Sequence, residues 1–543
     1  MAAYDFQLLL KYILEHGVEW APHQQIIYRG QKRYTYTDMY RRVLKLVSAL
    51  QSLGVRKGTM VGVMEWDSHR YLEMYFGIPG AGAVLHTINP RLALEDIIYT
   101  MEHAADEVLV FHEDFLPLVE QIRPRLTSIK KYILITDRDQ APAARCVDAQ
   151  YEELLTGVSA IDALPDLDER TQATLAYTSG TTGRPKGVVF THRQIVLQTL
   201  CGWTPAAIFS NDGGLSKHEV YMPLTPMFHV HGWGLPYWAT LLGLKQVYPG
   251  KFEPDMVLDL ATAEKVTFSH CVPTILQMVI TAAETRGLDF DDWKMFIGGD
   301  RLTKGLALAA QERGIRVTGA YGLSETCPLL ALSTLKPFME DKWDENEQLE
   351  RTIKTGFPMP LVKTRVVTSD GRDVPPDGAT TGEIVVRSPW LTPGYHKDPE
   401  RTAELWAGGW MHTGDVAHLD QYGYLQIVDR MKNIIKSGGE WIVSLDIENL
   451  LSLYEDIAEA VLIGVPDEKW GERPLAVVVP QKGAAGKITA EAVKEYLLKY
   501  VADGVIRKWA VPSRYIFVKE LPRTSVGKID KKVLRSRYLV MPD

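Results

Sequence analysis

The sequence predicts an α/β protein: a large N-terminal region of parallel α/β layers that includes a β-rich subdomain, followed by a small α/β domain. Three observations predict it. Short apolar runs at 60–64, 107–111 and 132–136 alternate with helical patterns such as 71–76 and 115–122, the order expected of strands and crossover helices. From Thr355 the texture changes to short β-runs, 362–367 and 382–387, broken by turns at Ser369-Asp370-Gly371 and Pro393-Gly394. From Arg430 the alternation returns on a smaller scale, with helix 445–453, strands 460–463 and 476–479, helix 490–501 and strand 515–518. The predicted domains are 1–429, with the β-rich subdomain at about 355–429, and 430–543; Met431-Lys432-Asn433 is the polar joint between them.

Taken in order, the first residues predict an amphipathic helix over 6–16 and a strand over 26–28. A second helix over 37–53 is opened by Tyr36-Thr37-Asp38 and stopped by Gly54. Residues 173–177 and 188–190 are β-formers on either side of a glycine-rich stretch, 192–201 is helical, and 220–224 is a strand. Two further strands, 295–297 and the run ending at Val317, open into Gly298-Gly299 and Gly319-Ala320.

Composition removes several classes of function. The 543 residues are 46% hydrophobic and 24% charged, ordinary for a globular protein, which excludes wholesale disorder. A net charge of -8 gives no reason to expect a nucleic-acid surface. The four cysteines, Cys146, Cys201, Cys271 and Cys327, are too widely spaced for a metal-ligand motif or a compact disulfide framework, so a reducing, cytoplasmic location is expected. Asp5, Lys11 and Glu15 interrupt any signal-peptide core around Leu8-Leu9-Leu10, and the apolar stretch 228–244 contains two histidines and Pro236, so no membrane span is expected.

The chemistry concentrates in residues 177–187, Tyr-Thr-Ser-Gly-Thr-Thr-Gly-Arg-Pro-Lys-Gly. Gly180, Gly183 and Gly187 let backbone N–H groups approach an anion, the hydroxyls of Thr178, Ser179, Thr181 and Thr182 add donors, and Lys186 brings a positive charge. This is not a Walker A loop: Pro185 stands where that motif needs its second glycine, and Gly187 rather than Ser or Thr follows the lysine. A Walker loop also opens a helix, whereas β-formers follow here, so a hairpin between two strands is expected. A flexible surface turn is the alternative.

Other stretches add candidates. His229 and His231 alternate like strand neighbours and form an HxH pair, but no cysteine or carboxylate lies between Pro223 and Phe252 to complete a metal site. The same absence, with Gly232 and Gly234 beside Trp233, suits an apolar guest; a core role for Trp233 is the alternative. In Gly319-Ala320-Tyr321-Gly322-Leu323-Ser324-Glu325-Thr326, Tyr321 offers a stacking face, Ser324 a donor for phosphate and Glu325 a ligand for Mg²⁺. Asp415, at the end of a Gly-rich turn, offers one carboxylate for two ribose hydroxyls. Residues 522–528 form a second Gly/Ser/Thr loop, ending in Lys528.

Together these stretches resemble the adenylate-forming superfamily, which includes acyl-CoA synthetases, peptide-synthetase adenylation domains and beetle luciferases. The likeness spans nearly the whole chain and is most specific at 177–187, 321–326, 412–415, 429–440 and 522–528. It is closest to fatty acyl-CoA synthetases at 226–234, with Trp233, and at 435–441. Peptide-synthetase domains carry Asp after the phenylalanine matching Phe228 to hold the substrate amine; here His229 follows, which argues against an amino-acid substrate.

The resemblance implies a mobile C-terminal domain and two steps, ATP-dependent formation of an acyl-adenylate and then transfer to CoA. It implies that Thr178 and Glu325 hold Mg²⁺ and that the loop from Thr178 through Ser179, Gly180, Thr181, Thr182 and Gly183 to Lys186 binds the β- and γ-phosphates. Gly299, Ala320 and Tyr321 are placed at the adenine, Gly322 at the nucleotide, Ser324 at the α-phosphate, and Asp415 and Arg430 at the ribose. Lys528 bridges the attacking carboxylate and the nucleotide, Lys432 is the hinge, and Gly438 and Gly439 face the pocket in the second step, with Lys436 and Trp441 against nucleotide. Trp233 gates the acyl pocket, which Gly298 and Leu323 line, and His229 lies beside the carboxylate. Asp300-Arg301 departs from the small or apolar residues usual after Gly298-Gly299.

A medium- or long-chain fatty acid is the expected substrate, with an aromatic or short substituted acid as the alternative and a luciferase-like oxygenase or an inactive binding protein as different classes. A homodimer is compatible with the same likeness.

Overall fold

The computed structural model describes residues 5–142, 144–178, 184–208, 214–340, 342–437, 440–481, 483–484, 486–523 and 529–538. The chain divides into two compact units, one of Met1–Gly180, Arg184–Lys363 and Arg387–Trp410, the other containing Thr364–Val386 and Met411–Asp543.

The first unit holds two large sheets. Among the described residues one has seven strands in the order Ala149–Gln150, Lys131–Ile135, Val108–His112, Met60–Met64, Val84–Thr87, Gln172–Tyr177, Gly187–Thr191, parallel except for the last pair. Its inner strands Val84–Thr87 and Val108–His112 are buried throughout, as parallel strands covered on both faces must be. Val84–Thr87 escapes a hydrophobicity reading because His86 and Thr87 interrupt the apolar run, yet it is central. Asp106 resolves the conflict, its carboxylate lying 2.8 Å from His86 Nδ1 with both side chains buried.

The other sheet has nine strands among the described residues. Six run parallel, Ile315–Gly322, Trp293–Ile297, Phe268–Cys271, Val220–Pro223, Lys245–Tyr248 and Gln25–Tyr28, with antiparallel strands added at both ends. Trp293, Leu276, Val257 and Ile315 are among the fully buried side chains between this sheet and its helices Pro254–Glu264, Pro273–Arg286 and Lys304–Glu312.

Helix His69–Gly80, buried along its whole length, touches Val84–Thr87 and Gln172–Tyr177 of one sheet and Gln25–Tyr28 of the other. It carries charge into that interior. Glu73 accepts from Arg42 at 2.7 Å, Tyr34 at 3.0 Å and Tyr151 at 2.8 Å, and Arg70 donates to Asp137 at 2.8 Å and Glu152 at 3.0 Å. Each buried charge is compensated, because leaving one partner unpaired would cost about 3–5 kcal/mol.

Local signals place most boundaries. Helix Tyr36–Ser52 starts at a reciprocal Thr35/Asp38 cap and is followed by Gly54 at φ +88°. The first helix is Leu10–Trp20 rather than 6–16, since Leu10, Ile13, Leu14 and Gly17 form its buried face. Gly17 permits this packing: a Cβ there would lie 2.1 Å from the Thr240 carbonyl oxygen.

In the second unit, Gly382–Arg387, Met411–Leu419 and Leu425–Arg430 form an antiparallel sheet with Lys363–Val367 at its edge. A second sheet pairs Ile457–Asp467 with Gly471–Pro480, flanked by Arg514–Phe517 and the hairpin Ile435–Ser437/Glu440–Ile442. Lys531–Tyr538, which reads as a basic tail, is a helix anchored by buried Leu534 and Tyr538.

Burial pushes the imidazoles of His231 and His270 down to about 3. An unfolded histidine titrates near 6.5, so as pH falls the unfolded chain takes up protons first. The stability these neutral rings contribute is complete above about 6.5 and lost progressively toward about 3. Asp67, pushed by burial up to about 8, acts oppositely, its contribution being lost as pH rises from roughly 4 to 8. His231→Phe should flatten the acid limb of melting temperature against pH, where each wild-type ring costs up to about 1.4 kcal/mol per pH unit; an acid limb identical to wild type would refute this.

Candidate active site

The glycine-rich stretch is a hairpin, as its flanking β-formers predict. Strand Gln172–Tyr177 runs antiparallel to Gly187–Thr191 with Tyr177 opposite Gly187. At the neck, the Thr178 N–H donates to the Lys186 carbonyl at 2.9 Å and the Lys186 N–H to Thr178 Oγ1 at 3.4 Å. Ser179, Gly180, Thr181, Thr182 and Gly183 lie outside the described residues. Beneath the neck, the Tyr177 hydroxyl lies 2.7 Å from His103 Nδ1 and its ring packs 5.1 Å from that of His86.

A segment with no motif of its own completes this end of the first unit. The Val189 N–H donates to Thr392 Oγ1 at 3.3 Å, the Thr392 hydroxyl donates to the Val189 carbonyl at 3.0 Å, and the His396 N–H donates to the Gly187 carbonyl at 2.8 Å. The Thr392 N–H donates to the Glu325 carbonyl at 2.9 Å. Between these anchors, Tyr395 donates its hydroxyl to Glu325 Oε1 at 2.7 Å and accepts from Lys186 Nζ at 3.3 Å; that ammonium also stands 4.5 Å from the ring centroid. Burial, and then the Glu325 carboxylate, push the hydroxyl above its ordinary pKa, so it stays a donor at neutral pH. Lys186 and Glu325, distant in sequence, are thus joined by a residue the sequence marks only with the Pro393-Gly394 turn.

Among the described residues no group of three or more His, Cys, Asp or Glu could cage a metal. Mg²⁺ does not need one, since it uses one or two carboxylates with phosphate oxygens and water. Glu325 fits that role: it makes no ion pair among the described residues, and one oxygen is oriented by Tyr395.

Strands Trp293–Ile297 and Ile315–Gly322 are parallel with Ile297 opposite Gly319, so Gly298-Gly299 and Ala320-Tyr321 emerge at the same sheet edge. A Cβ on Gly298 would lie 2.7 Å from the Ala320 carbonyl oxygen and 3.1 Å from the Trp233 ring. Gly299, at φ +78°, is exposed, as are Asp300 and Arg301, and Asp300 Oδ1 accepts from the Arg301 N–H. Gly322 lets the chain turn tightly, because a Cβ there would lie 1.8 Å from the Pro328 carbonyl oxygen. The Leu323 N–H donates to Thr326 Oγ1 at 2.9 Å, closing the short turn Ser324–Thr326 that presents Glu325.

His229 and His231 are not strand neighbours. Val230, His231, Gly232, Trp233 and Gly234 have successive φ of 40, 57, 54, 58 and 77°, a left-handed turn that costs about 1–2 kcal/mol at each non-glycine residue. Two polar anchors precede it: the Met227 N–H donates to buried Asp67 at 2.6 Å, and the Tyr75 hydroxyl donates to the Met227 carbonyl. The turn sends His231 into the core against Phe190 and Tyr75, leaves His229 half-buried, and lays buried Trp233 against Gly298 and His270. The HxH pair is therefore split. Asp67 and Tyr75 come from a region in which the sequence displays no candidate.

In the second unit, Asp415 lies within strand Met411–Leu419, not at the end of a turn; Gly414, at φ +69°, distorts the strand beside it. Asp415 is paired in register with Arg430, whose Nε lies 3.1 Å from the buried carboxylate. Lys432 is exposed, and the backbone of Lys436 is paired in register with that of Trp441 between strands Ile435–Ser437 and Glu440–Ile442. Gly438, Gly439 and Lys528 lie outside the described residues.

Residues 14–396 match the family described as AMP-binding enzyme, and 446–528 match the AMP-binding enzyme C-terminal domain. The chain is 41% identical to a long-chain-fatty-acid–CoA ligase of Thermus thermophilus, covering 93% of this chain and 90% of that protein. It is 38% identical to a 3-methylmercaptopropionyl-CoA ligase of Ruegeria pomeroyi, covering 98% and 97%. The fold is similar to that of ATP-bound MatB from Rhodopseudomonas palustris, with a TM-score of 0.83 and 24% identity over 98% and 99% of the two chains. The first family match runs from before the glycine-rich stretch to just beyond Tyr395 and the second ends at Lys528; this chain belongs to the AMP-binding enzyme family.

Proposed function

We propose that this protein is an AMP-forming acyl-CoA synthetase: it activates a carboxylic acid with ATP, releasing pyrophosphate, and passes the acyl group from the adenylate to CoA. The observation that carries this is the meeting of Lys186, Tyr395 and Glu325 beside the neck of a glycine-rich hairpin that is not a Walker loop. The two CoA ligases that the chain resembles over nearly its whole length support the same activity.

The first step brings a carboxylate against the α-phosphate, so positioned positive charge and hydrogen-bond donors do most of the catalysis. Lys186 and the hairpin from Thr178 to Gly183 hold the β- and γ-phosphates, and Ser324 donates to the α-phosphate. Gly299, Ala320 and Tyr321 flank the base, with Gly322 at the nucleotide. Asp415, held by Arg430, accepts from the ribose hydroxyls. Thr178 and Glu325 would hold Mg²⁺, which when bound neutralises phosphate charge. Lys528 bridges the acid and the nucleotide.

For thioester formation, residues 430–543 rotate about Lys432, withdrawing Lys528 and bringing Gly438, Gly439, Lys436 and Trp441 to the pocket. The CoA thiolate then attacks an already activated carbonyl. Trp233 gates the acyl pocket lined by Gly298 and Leu323, with His229 at the carboxylate.

A medium- or long-chain fatty acid is the first candidate substrate, supported by the acid-free stretch around Trp233 and by the name of the Thermus relative. A short substituted acid is the second. It is favoured by the Ruegeria relative and by His231 in the left-handed turn, Tyr71 and Tyr237, which are buried with polar atoms that have no partner among the described residues. The four free thiols suit a reducing cytoplasm, and a homodimer fits the family likeness.

Pyrophosphate release measured over a panel of acids, with and without CoA, tests the activity. CoA-dependent AMP formation with at least one acid is expected, the preferred acid decides between the two substrate classes, and no turnover with any acid overturns the proposal. Lys528→Ala should nearly abolish adenylate formation while still converting supplied acyl-adenylate to thioester; equal loss in both half-reactions would contradict the rotation.

A further inference from the structure

We propose that Tyr395 is a positioning residue that holds Lys186 and Glu325 apart in one hydrogen-bonded chain, so that both charges stand ready for the metal–nucleotide complex instead of neutralising each other. This rests on the roles of Lys186 and Glu325 given above.

Two opposite charges close together attract strongly where water is scarce. Among the described residues, however, Lys186 and Glu325 form no direct ion pair; the Tyr395 hydroxyl lies between them, 3.3 Å from the ammonium and 2.7 Å from the carboxylate. A phenol suits this place because one neutral group can accept from a cation and donate to an anion at once. A lysine–glutamate pair would satisfy the same groups but would have to be broken before either could meet phosphate or Mg²⁺. A link through a neutral hydroxyl opposes that exchange less.

The hydroxyl is also held in place. Tyr395 bridges Val188 in antiparallel fashion, its N–H donates to Thr402 Oγ1 at 2.9 Å, and the next residue's N–H is bonded to Gly187. On the Glu325 side, the Thr392 N–H is bonded to Glu325's own carbonyl, and Trp390 Nε1 donates to the Leu329 carbonyl at 3.2 Å. Residues 390–396 thus hold the backbones carrying Lys186 and Glu325 as well as their side chains. Removing the hydroxyl alone leaves that framework and the ring–ammonium contact in place.

The test is calorimetric ATP binding, with Mg²⁺ or with EDTA, to the full-length wild type, Lys186→Ala, Glu325→Gln, Tyr395→Phe and the Glu325→Gln/Tyr395→Phe double variant. Tyr395→Phe should weaken Mg²⁺-ATP binding about tenfold, the equivalent of about 1.4 kcal/mol, and metal-free ATP binding much less. In the Glu325→Gln background, where no carboxylate remains to capture the lysine, the same change should cost no more than about twofold. Equal losses with and without Mg²⁺, an equal loss in both backgrounds, or no loss in Tyr395→Phe each overturn the proposal. If Lys186→Ala and Glu325→Gln themselves bind Mg²⁺-ATP like wild type, the roles assigned to those residues fall, and this proposal with them. If Tyr395→Phe melts at a lower temperature than wild type, the ¹⁹F signal of 3-fluorotyrosine at position 395 in the otherwise intact protein replaces it. That signal should shift when Mg²⁺-ATP is added, and a stationary signal overturns the proposal.

Discussion

The hydrogen bond from the Tyr395 hydroxyl to Glu325, with Lys186 donating to the same oxygen, is the contact on which the arrangement of the first unit's site depends. Hydrogen bonds to charged partners contribute about 1.5–3 kcal/mol, but here their placement matters more than their energy. Lys186 sits at the end of a hairpin on the edge of one sheet, whereas Glu325 sits on a short turn after a strand of the other. Each could shift alone. Residues 390–396, bonded to Gly187 and Val189 on one side and to Glu325 on the other, tie the two together.

The same unit tolerates costly features where they fix geometry. Helix His69–Gly80 carries Arg70 and Glu73 between the sheets and meets each charge with several partners. The left-handed turn through Val230, His231 and Trp233 is held from behind at the Met227 peptide, whose N–H donates to Asp67 and whose carbonyl accepts from the Tyr75 hydroxyl. The second device joins residues from the first eighty positions to a peptide 152 and 160 positions later. The N-terminal region, silent in sequence, therefore acts as the frame that shapes the stretch containing Trp233.

Legibility in the sequence followed the range of the physics involved. The alternation of strands and helices, the start of the second helix to within a residue and the hairpin around the glycine-rich loop were readable because each depends on residues within a few positions of one another. Val84–Thr87 was missed because His86 and Thr87 break its apolar run, and Asp106, the partner of His86, belongs to a different strand–helix unit. His229 and His231 were misread as strand neighbours because alternation says nothing about a left-handed turn, and a valine within it argues against one. Asp415 was read at a turn because Gly414 is beside it, although the strand continues through both.

By itself, then, the sequence determined the α/β class, the antiparallel strands that flank the glycine-rich loop and the loop's difference from a Walker loop, and the candidacy of Lys186, Glu325 and Asp415, since glycine placement, hydroxyls and charge are local properties; Arg430 became a candidate only through the family resemblance. Only the tertiary structure decided that Tyr395 joins Lys186 to Glu325, that Asp67 and Tyr75 hold the turn carrying Trp233, and that residues 387–410 belong with the first unit although their neighbours on both sides belong to the second. The reason is that a hydrogen bond is made in space, and no spacing along the chain records which distant hydroxyl or carboxylate the packing of two sheets will bring within 3 Å.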